Sequence, residues 1–324
     1  MSRRLVLSFY QLKAIEESLL DSLKHDLSAF MHKYDVLGRV YIAKDGLNAQ
    51  VSARVDDYDE FCLQFKQKFP LFDSVYFNVS PFKADIAFQK LNVKIRPQVV
   101  SDGIDYAELD SELKPEALAP DEFNQQVKDH LLKSESESIL LDVRNSYELE
   151  LGGFPKTLSL DGVETFREYM KVLRDKVLPR YEPQDTEILM VCTGGIRCSK
   201  AGLVLRNWGW PRVSMLAGGI TRYTRELLKD GLFKGTNFTF DGRCGERFDN
   251  DLNEAVSRCA QCGTSSDTVT NCKNNSCNRM IVQCDACNAK YNGTCGPGCL
   301  QIVNDPGLYA IYKQVGAMPT KTFK

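Results

Sequence analysis

The chain has 324 residues, with 41 lysines and arginines against 43 aspartates and glutamates, a formal net charge of −2. That balance excludes a global electrostatic pull toward nucleic acid, so any RNA contact has to come from local basic patches. Hydrophobic content of 43% supports ordinary globular cores for two or three domains, and no apolar run approaches membrane-spanning length, so no membrane partner is expected.

From the start, Met1-Ser2-Arg3-Arg4 runs into only Leu5 to Tyr10 before the charged Lys13, too short for the apolar core of a signal peptide. Twelve cysteines without such a leader predict a reducing, cytoplasmic setting and thiol or metal chemistry rather than a disulfide framework.

Residues 1–100 read as one α+β module. Leu5 to Tyr10 is strand-like, and Leu12 to Met31 has helical spacing through Ile15, Leu19, Leu23, Leu27 and Phe30. Strands Gly38 to Ala43 and Leu47 to Val51 flank Lys44-Asp45-Gly46, a hairpin signal. A helix over Tyr58 to Phe69 and a strand over Ser74 to Val79 complete a βαββαβ order, that of a ferredoxin-like (acylphosphatase-like) module. Lys44, Asp45, Gly46 and Asn48 form either a polar tip that touches substrate or simply a turn. Phe88 to Arg96 alternates apolar with polar residues and carries Lys90, Lys94 and Arg96 on one side. That pattern is either a solvated strand face or a phosphate-contacting ribbon.

Residues 101–119, acidic and without a period, read as a linker. Over 120–232 helices and strands alternate: a helix from Pro120, a strand Ile139 to Val143, a helix Phe166 to Val177, a strand Ile188 to Val191, a helix Ser199 to Trp208, a strand Val213 to Leu216 and a helix Thr221 to Leu228. The order predicts a doubly wound parallel sheet. Its centre is Val191-Cys192-Thr193-Gly194-Gly195-Ile196-Arg197-Cys198, a tight glycine loop between strand and helix. The loop N–H groups and the helix N-terminus make a positive cradle at the carboxyl end of a strand. A thiol there is expected to ionise near neutrality, as nucleophile or persulfide carrier. Arg197 is placed to close the ring over a bound anion. Asp142 and Arg144 either orient the loop or pair with each other, Arg167 either faces the cradle or lies on the surface, and Cys198 either resolves an oxidised Cys192 or packs as a helix-start thiol.

With four residues between Cys192 and Arg197, the loop resembles the active loop of rhodanese-type sulfurtransferases; cysteine-based phosphatases use one more intervening residue. Leu141-Asp142-Val143-Arg144-Asn145 and Glu148 resemble the strand-end motif of the same domain, with Gly152-Gly153 where Gly-His is usual.

Residues 233–258 read as a connector, 259–300 as a small cysteine-rich module and 301–324 as a tail. The cysteines fall in pairs: Cys259 and Cys262, Cys272 and Cys277, Cys284 and Cys287, Cys295 and Cys299. Short spacers let two thiolates share one tetrahedral ion, so the four pairs suit two all-sulfur Cys₄ zinc sites. A segment this rich in Asn, Gly and Ser buries little apolar area, and metal would supply its folding energy. Which pairs share an ion is open, disulfides being the alternative use of the same residues.

The whole chain resembles the rhodanese-fold tRNA uridine hydroxylases, through Phe88 to Arg96, Leu141 to Tyr147, Thr165-Phe166-Arg167-Glu168, Cys192 to Cys198, Gly218-Gly219-Ile220, Asn237 to Asp241 and the cysteine ladder with Thr270-Asn271-Cys272-Lys273-Asn274. The resemblance implies oxygen-dependent hydroxylation of the wobble uridine at C5, with tRNA as partner, Cys192 as the essential residue and molecular oxygen as co-substrate. A thiolate can add to C6 of uracil and make C5 nucleophilic, and a Cys192 persulfide is the competing chemistry. No flavin or nicotinamide fingerprint is present, and three histidines, all before residue 131, offer no His/carboxylate iron triad. The rival readings are a sulfurtransferase carrying sulfane sulfur on Cys192 and a zinc-stabilised RNA-binding scaffold.

Overall fold

The computed structural model describes residues 3–80, 87–105, 108–160, 163, 165–227, 230–247, 255–277, 279–305, 307–308 and 310. The chain divides into two compact units, one of residues 1–149, 153–233 and 239–243, the other of 150–152, 234–238 and 244–324.

The first unit begins with β1 (Arg4–Leu12), α1 (Leu20–Lys33), β2 (Leu37–Ala43), β3 (Gly46–Arg54), α2 (Tyr58–Lys68), β4 (Asn78–Val79) and β5 (Leu91–Ile95). The sheet order is β4-β1-β3-β2-β5, antiparallel except where β5 adds to β2 in parallel. Apart from β5, this is the expected βαββαβ arrangement. Phe61 and Phe65 of α2 meet both Phe9 of the sheet and Phe30 of α1, with ring centroids of Phe9 and Phe65 5.1 Å apart, in edge-to-face geometry favoured by the ring quadrupole.

Three expectations change here. The helix expected from Leu12 starts at Leu20, because β1 runs on to pair Leu12 with Gly46, and Lys13 and Ile15 N–H groups bond to the Asp45 and Lys44 carbonyls. Ile15 has helical spacing only because it fills the same core from an extended backbone. The strand expected over Ser74 to Val79 is reduced to Asn78–Val79. The strand at Phe88 to Arg96 is confined to Leu91–Ile95, while Phe88 packs with Val6 and Ala87 in a separate small cluster.

The chain continues with β6 (Glu116–Leu118), α3 (Pro120–Leu132), β7 (Ser138–Asp142), α4 (Ser146–Leu149), β8 (Gly152–Gly153), β9 (Thr157–Leu158), α5 (Phe166–Val172), β10 (Glu187–Val191), α6 (Ile196–Asn207), β11 (Val213–Leu216) and α7 (Gly219–Leu227). The order β6-β11-β10-β7-β9 is parallel throughout. Ile139, Leu141, Ile188 and Met190 pack with α5 and α6 on one face, while Leu140 and Leu189 are buried on the other, where α3 and α7 lie. Burial on both faces explains why β7 and β10 read as unbroken apolar runs. Within the stretch expected to be a linker, 101–119, Glu116–Leu118 joins the sheet beside β11, and Ile104 and Leu109 pack against the core. The helix from Phe166 gives way after Val172 to a wider π turn, Leu173–Val177.

The second unit holds Gly152 of β8, β12 (Lys234–Asn237) and β13 (Glu246–Arg247) in a small sheet, then the hairpin β14 (Val269–Asn271) and β15 (Met280–Val282), α8 (Asp285–Lys290) and α9 (Pro297–Asn304). Residues expected to be a connector thus supply β12 and β13. Residues 311–324 of the expected tail lie outside the described residues.

Candidate active site and cysteine clusters

The parallel register sets Val191 beside Asp142, so the carboxyl ends of β10 and β7 emerge together where the crossover connections diverge. Cys192 follows immediately and is fully buried. Gly195 caps α6 with φ +100°, and a Cβ there would sit 2.8 Å from the Tyr10 hydroxyl. Both the left-handed backbone and the close approach require glycine. The turn lets the Gly195 N–H donate to Cys192 Sγ at 3.1 Å. On the other side, the Ile220 and Thr221 N–H groups at the start of α7 hold the Cys192 and Thr193 carbonyls at 2.9 and 3.0 Å.

Burial pushes the Cys192 thiol up. The Cys198 thiol, the Arg197 charge and the backbone N–H groups of Cys198 and Gly195 outweigh it and bring the pKa down to about 6. Cys198 moves the opposite way: burial and the neighbouring Cys192 thiolate hold it well above the ordinary thiol range. It therefore stays protonated and donates to Cys192.

Arg197 was expected to close over an anion. Both of its Nη atoms are held by the fully buried Glu148 carboxylate, at 2.6 and 2.8 Å, and the guanidinium lies over the Phe240 ring at 5.7 Å. Thr193 Oγ1 donates to Glu148 Oε1 at 3.0 Å, and the Asn145 N–H to Oε2 at 3.0 Å. Burial would raise the Glu148 pKa, but Arg197, Arg144 and the Asn145 N–H bring it below the usual range. Asp142 and Arg144 form a buried ion pair at 2.6 Å, and Arg144 also donates to the Glu148 carbonyl at 3.4 Å. Pairing and support of the loop are thus one arrangement. Ile196 begins α6 half-buried, and Gly194 lies within 3.5 Å of Ser8 Oγ, measured from the Cβ it lacks.

The remaining predicted residues are spread more widely. Arg167 is exposed on α5 and donates to Ser101 Oγ at 3.1 Å. Lys44 pairs with Glu17 at the surface at 2.8 Å. Lys90 and Lys94 are exposed, and Arg96 is exposed with its guanidinium 4.9 Å from the Tyr41 ring centroid. These three lie along the β5 edge of the first sheet. Asp45, at the hairpin tip, is buried: it accepts from the Val99 N–H at 2.9 Å and faces the buried Lys200 of α6 at 3.6 Å. Sequence reasoning gave no role to Glu148, Tyr10, Ser199 or Lys200. Glu148 was visible only as a motif position, while Tyr10 Oη and Ser199 Oγ, 2.8 Å apart, are 189 residues apart in sequence.

In the second unit all eight ladder cysteines are free thiols and form two interleaved groups. Cys259, Cys262, Cys284 and Cys287 make one; Cys272, Cys277, Cys295 and Cys299 make the other, with sulfurs in each group within 4.8 Å of one another. The closest sulfurs are Cys262 and Cys284 at 3.6 Å, Cys277 and Cys295 at 3.7 Å, and Cys295 and Cys299 at 3.5 Å. A tetrahedral zinc with Zn–S bonds of about 2.3 Å sets its sulfurs roughly 3.8 Å apart, so both groups fit the ion. The Cys295 N–H and the Asn274 amide donate to Cys272 and Cys299 sulfurs at 3.3 and 3.4 Å, as groups around thiolate ligands do. Cys244 joins neither group.

Three family models match the chain in succession: a UPF0176 acylphosphatase-like domain over residues 4–99, a rhodanese-like domain over 120–226 and a rhodanase C-terminal region over 234–300. Among solved structures, a rhodanese-related protein from Thermoplasma volcanium covers 34% of this chain and 92% of its own, at 20% identity and a TM-score of 0.26. A tRNA uridine(34) hydroxylase of Yersinia enterocolitica is 37% identical over 306 residues, 94% of this chain and 83% of the relative. That of Yersinia pestis strain Pestoides F is 35% identical over 94% of this chain and 82% of its own. With that identity running through nearly the whole of both chains, this chain belongs to the tRNA uridine(34) hydroxylase family.

Proposed function

We infer that this enzyme hydroxylates C5 of uridine 34, the wobble base of the tRNA anticodon, with Cys192 as the nucleophile. The observation that carries the reading is the buried Cys192 sulfur, at about pKa 6, at the head of a glycine loop in a chain of this family. The thiolate adds to C6 of the uracil ring, and the ring's electron pair moves to C5. C5 then takes oxygen at the two-electron level. Loss of the C5 proton expels the Cys192 thiolate and restores the ring. Molecular oxygen supplies the atom; its second atom leaves as water with two electrons and two protons from an external reductant. Thr193, Gly194, Gly195 and Ile196 shape the loop, and Arg197, held by Glu148, supplies fixed positive charge beside the sulfur. Asp142, Arg144 and Cys198 support that arrangement. Arg167 braces the segment at Ser101.

Each cysteine group holds one zinc, which ties the second unit together. A tRNA substrate is the support for a cytoplasmic enzyme; among the described residues no helix is long and apolar enough to cross a membrane.

The test is purified protein with unmodified tRNA under labelled molecular oxygen, Cys192→Ala alongside, read by exact mass of the digested nucleosides. Labelled oxygen in uridine, absent with Cys192→Ala, is the expected result. Exact mass is needed because gaining oxygen and exchanging oxygen for sulfur raise the nominal mass equally. Sulfur in the base would replace this reading with a persulfide transfer from Cys192.

A further inference from the structure

A cavity of about 450 Å³ opens where β1 and β4 meet the active loop and the turn after β11, a volume in the range of small-ligand sites. Gly194 forms part of its wall together with Tyr10, Tyr76, Asn78, Lys114 and Arg222, whereas Cys192 does not. The space is thus beside the reacting centre rather than at it.

Two features of the wall point to what it takes. Asn78 is only 2% exposed and donates its Nδ2 to the Gly218 carbonyl at 2.6 Å. Asn78 thereby ties the wall to the turn beside the active loop. At the rim, Tyr76 is 47% exposed. The Arg222 guanidinium lies 5.3 Å from its ring centroid, and Arg225 donates to its hydroxyl at 2.7 Å. An exposed ring fixed between arginines is a stacking platform of the kind that holds single-stranded nucleic acid. Lys114, exposed in the same wall, adds a further cation for a phosphate.

We propose that this cavity is a nucleotide subsite that holds a base of the anticodon loop flanking the reacting uridine, with its ring on Tyr76 and its phosphate near Lys114 and Arg222. The proposal rests on the reading of the enzyme as one that modifies tRNA. It sets the RNA path along β4, whereas Lys90, Lys94 and Arg96 line the opposite sheet edge at β5. Asn78 also connects the subsite to the loop: it holds Gly218, and the residues that follow hold the Cys192 and Thr193 carbonyls.

The test uses the full chain carrying Cys192→Ala, so that binding is read without turnover. The probe is an unmodified, fluorescently labelled tRNA anticodon stem-loop, titrated at several salt concentrations. Added to that background, Tyr76→Ala is expected to weaken binding roughly 5- to 100-fold, the cost of losing one stacked base, while Tyr76→Phe retains it. Lys114→Ala is expected to reduce the slope of log affinity against log salt by about 0.7. Lys94→Ala and Arg96→Ala are expected to bind as the parent does. Parent-like binding by both Tyr76→Ala and Lys114→Ala would overturn the subsite, as would a loss confined to Lys94→Ala and Arg96→Ala. Parent-like binding by both variants, when the chain that keeps Cys192 hydroxylates tRNA, sinks the subsite alone; a parent that binds no RNA sinks the functional reading with it.

Discussion

Cys192 owes its acidity to opposed effects of one environment. Burial alone would keep the sulfur protonated and inert; donors from the Cys198 thiol, the Arg197 charge and two backbone N–H groups reverse that and bring the pKa to about 6. Because the thiolate is the reactive form, kcat/KM should rise with pH through about 6 and level off above it. Removing the donor of Cys198 favours the protonated sulfur, so Cys198→Ala is expected to move that acid limb to higher pH. Cys198→Ser keeps a donor and should hold the limb near the parent's. A pH–rate profile of the three proteins checks this, and an unmoved limb in Cys198→Ala would remove Cys198 from the account. Arg197 and Glu148 illustrate a related point. A guanidinium beside a buried thiolate needs an anchor when no substrate is bound, and the bidentate carboxylate of Glu148 supplies it.

At the scale of elements, the site is the junction of three backbone segments: the end of β10, the first turn of α6 and the first turn of α7. Their approach is close enough to dictate glycine. Gly219 has φ +64°, and a Cβ there would lie 2.5 Å from the Cys192 carbonyl oxygen and 2.6 Å from that of Thr193. Gly219→Ala is therefore expected to cost on the order of 2–3 kcal/mol and to lower kcat sharply, since the displaced atoms carry the nucleophile. Gly209 shares a positive φ, +90°, but has nothing within 4 Å of its absent Cβ. Gly209→Ala should cost only about 1 kcal/mol, with activity unchanged. Denaturant midpoints and initial rates of both variants make the comparison, and equal effects would contradict the packing argument.

For the molecule as a whole, the second unit is a chain segment that metal would hold together. Structural zinc contributes about 10–16 kcal/mol per site in small modules, far more than a core of this size can supply. Metal analysis is expected to find two zinc ions per chain, a count that follows from the two four-sulfur groups. The interleaved grouping makes a sharper prediction. Cys262→Ser with Cys284→Ser removes two ligands of one site, so one ion should remain. Cys262→Ser with Cys277→Ser damages both sites, so none should be retained at full occupancy. Grouping of neighbouring pairs along the chain would give the reverse result.

Local chemistry decided what could be read from the sequence. The alternation of strands and helices around β7, β10 and β11, the glycine turn between β10 and α6, and the close spacing within each of the four cysteine pairs are expressed within a few residues, and each has its counterpart in the structure. What depends on pairing between distant residues was not legible. Leu12 to Glu16 has helical spacing but is held extended by the hairpin, and the acidic stretch 101–119 resembles a linker until Glu116–Leu118 meets the open edge of β11. The ion pair of Arg197 with Glu148, the interleaving of the cysteine pairs and the cavity between Tyr76, Asn78 and Gly194 arise only when packing brings remote segments together. Sequence records periodicity and spacing, which act along the chain; tertiary structure sets which side chains lose water together, and that loss makes a pair, a ligand set or a subsite.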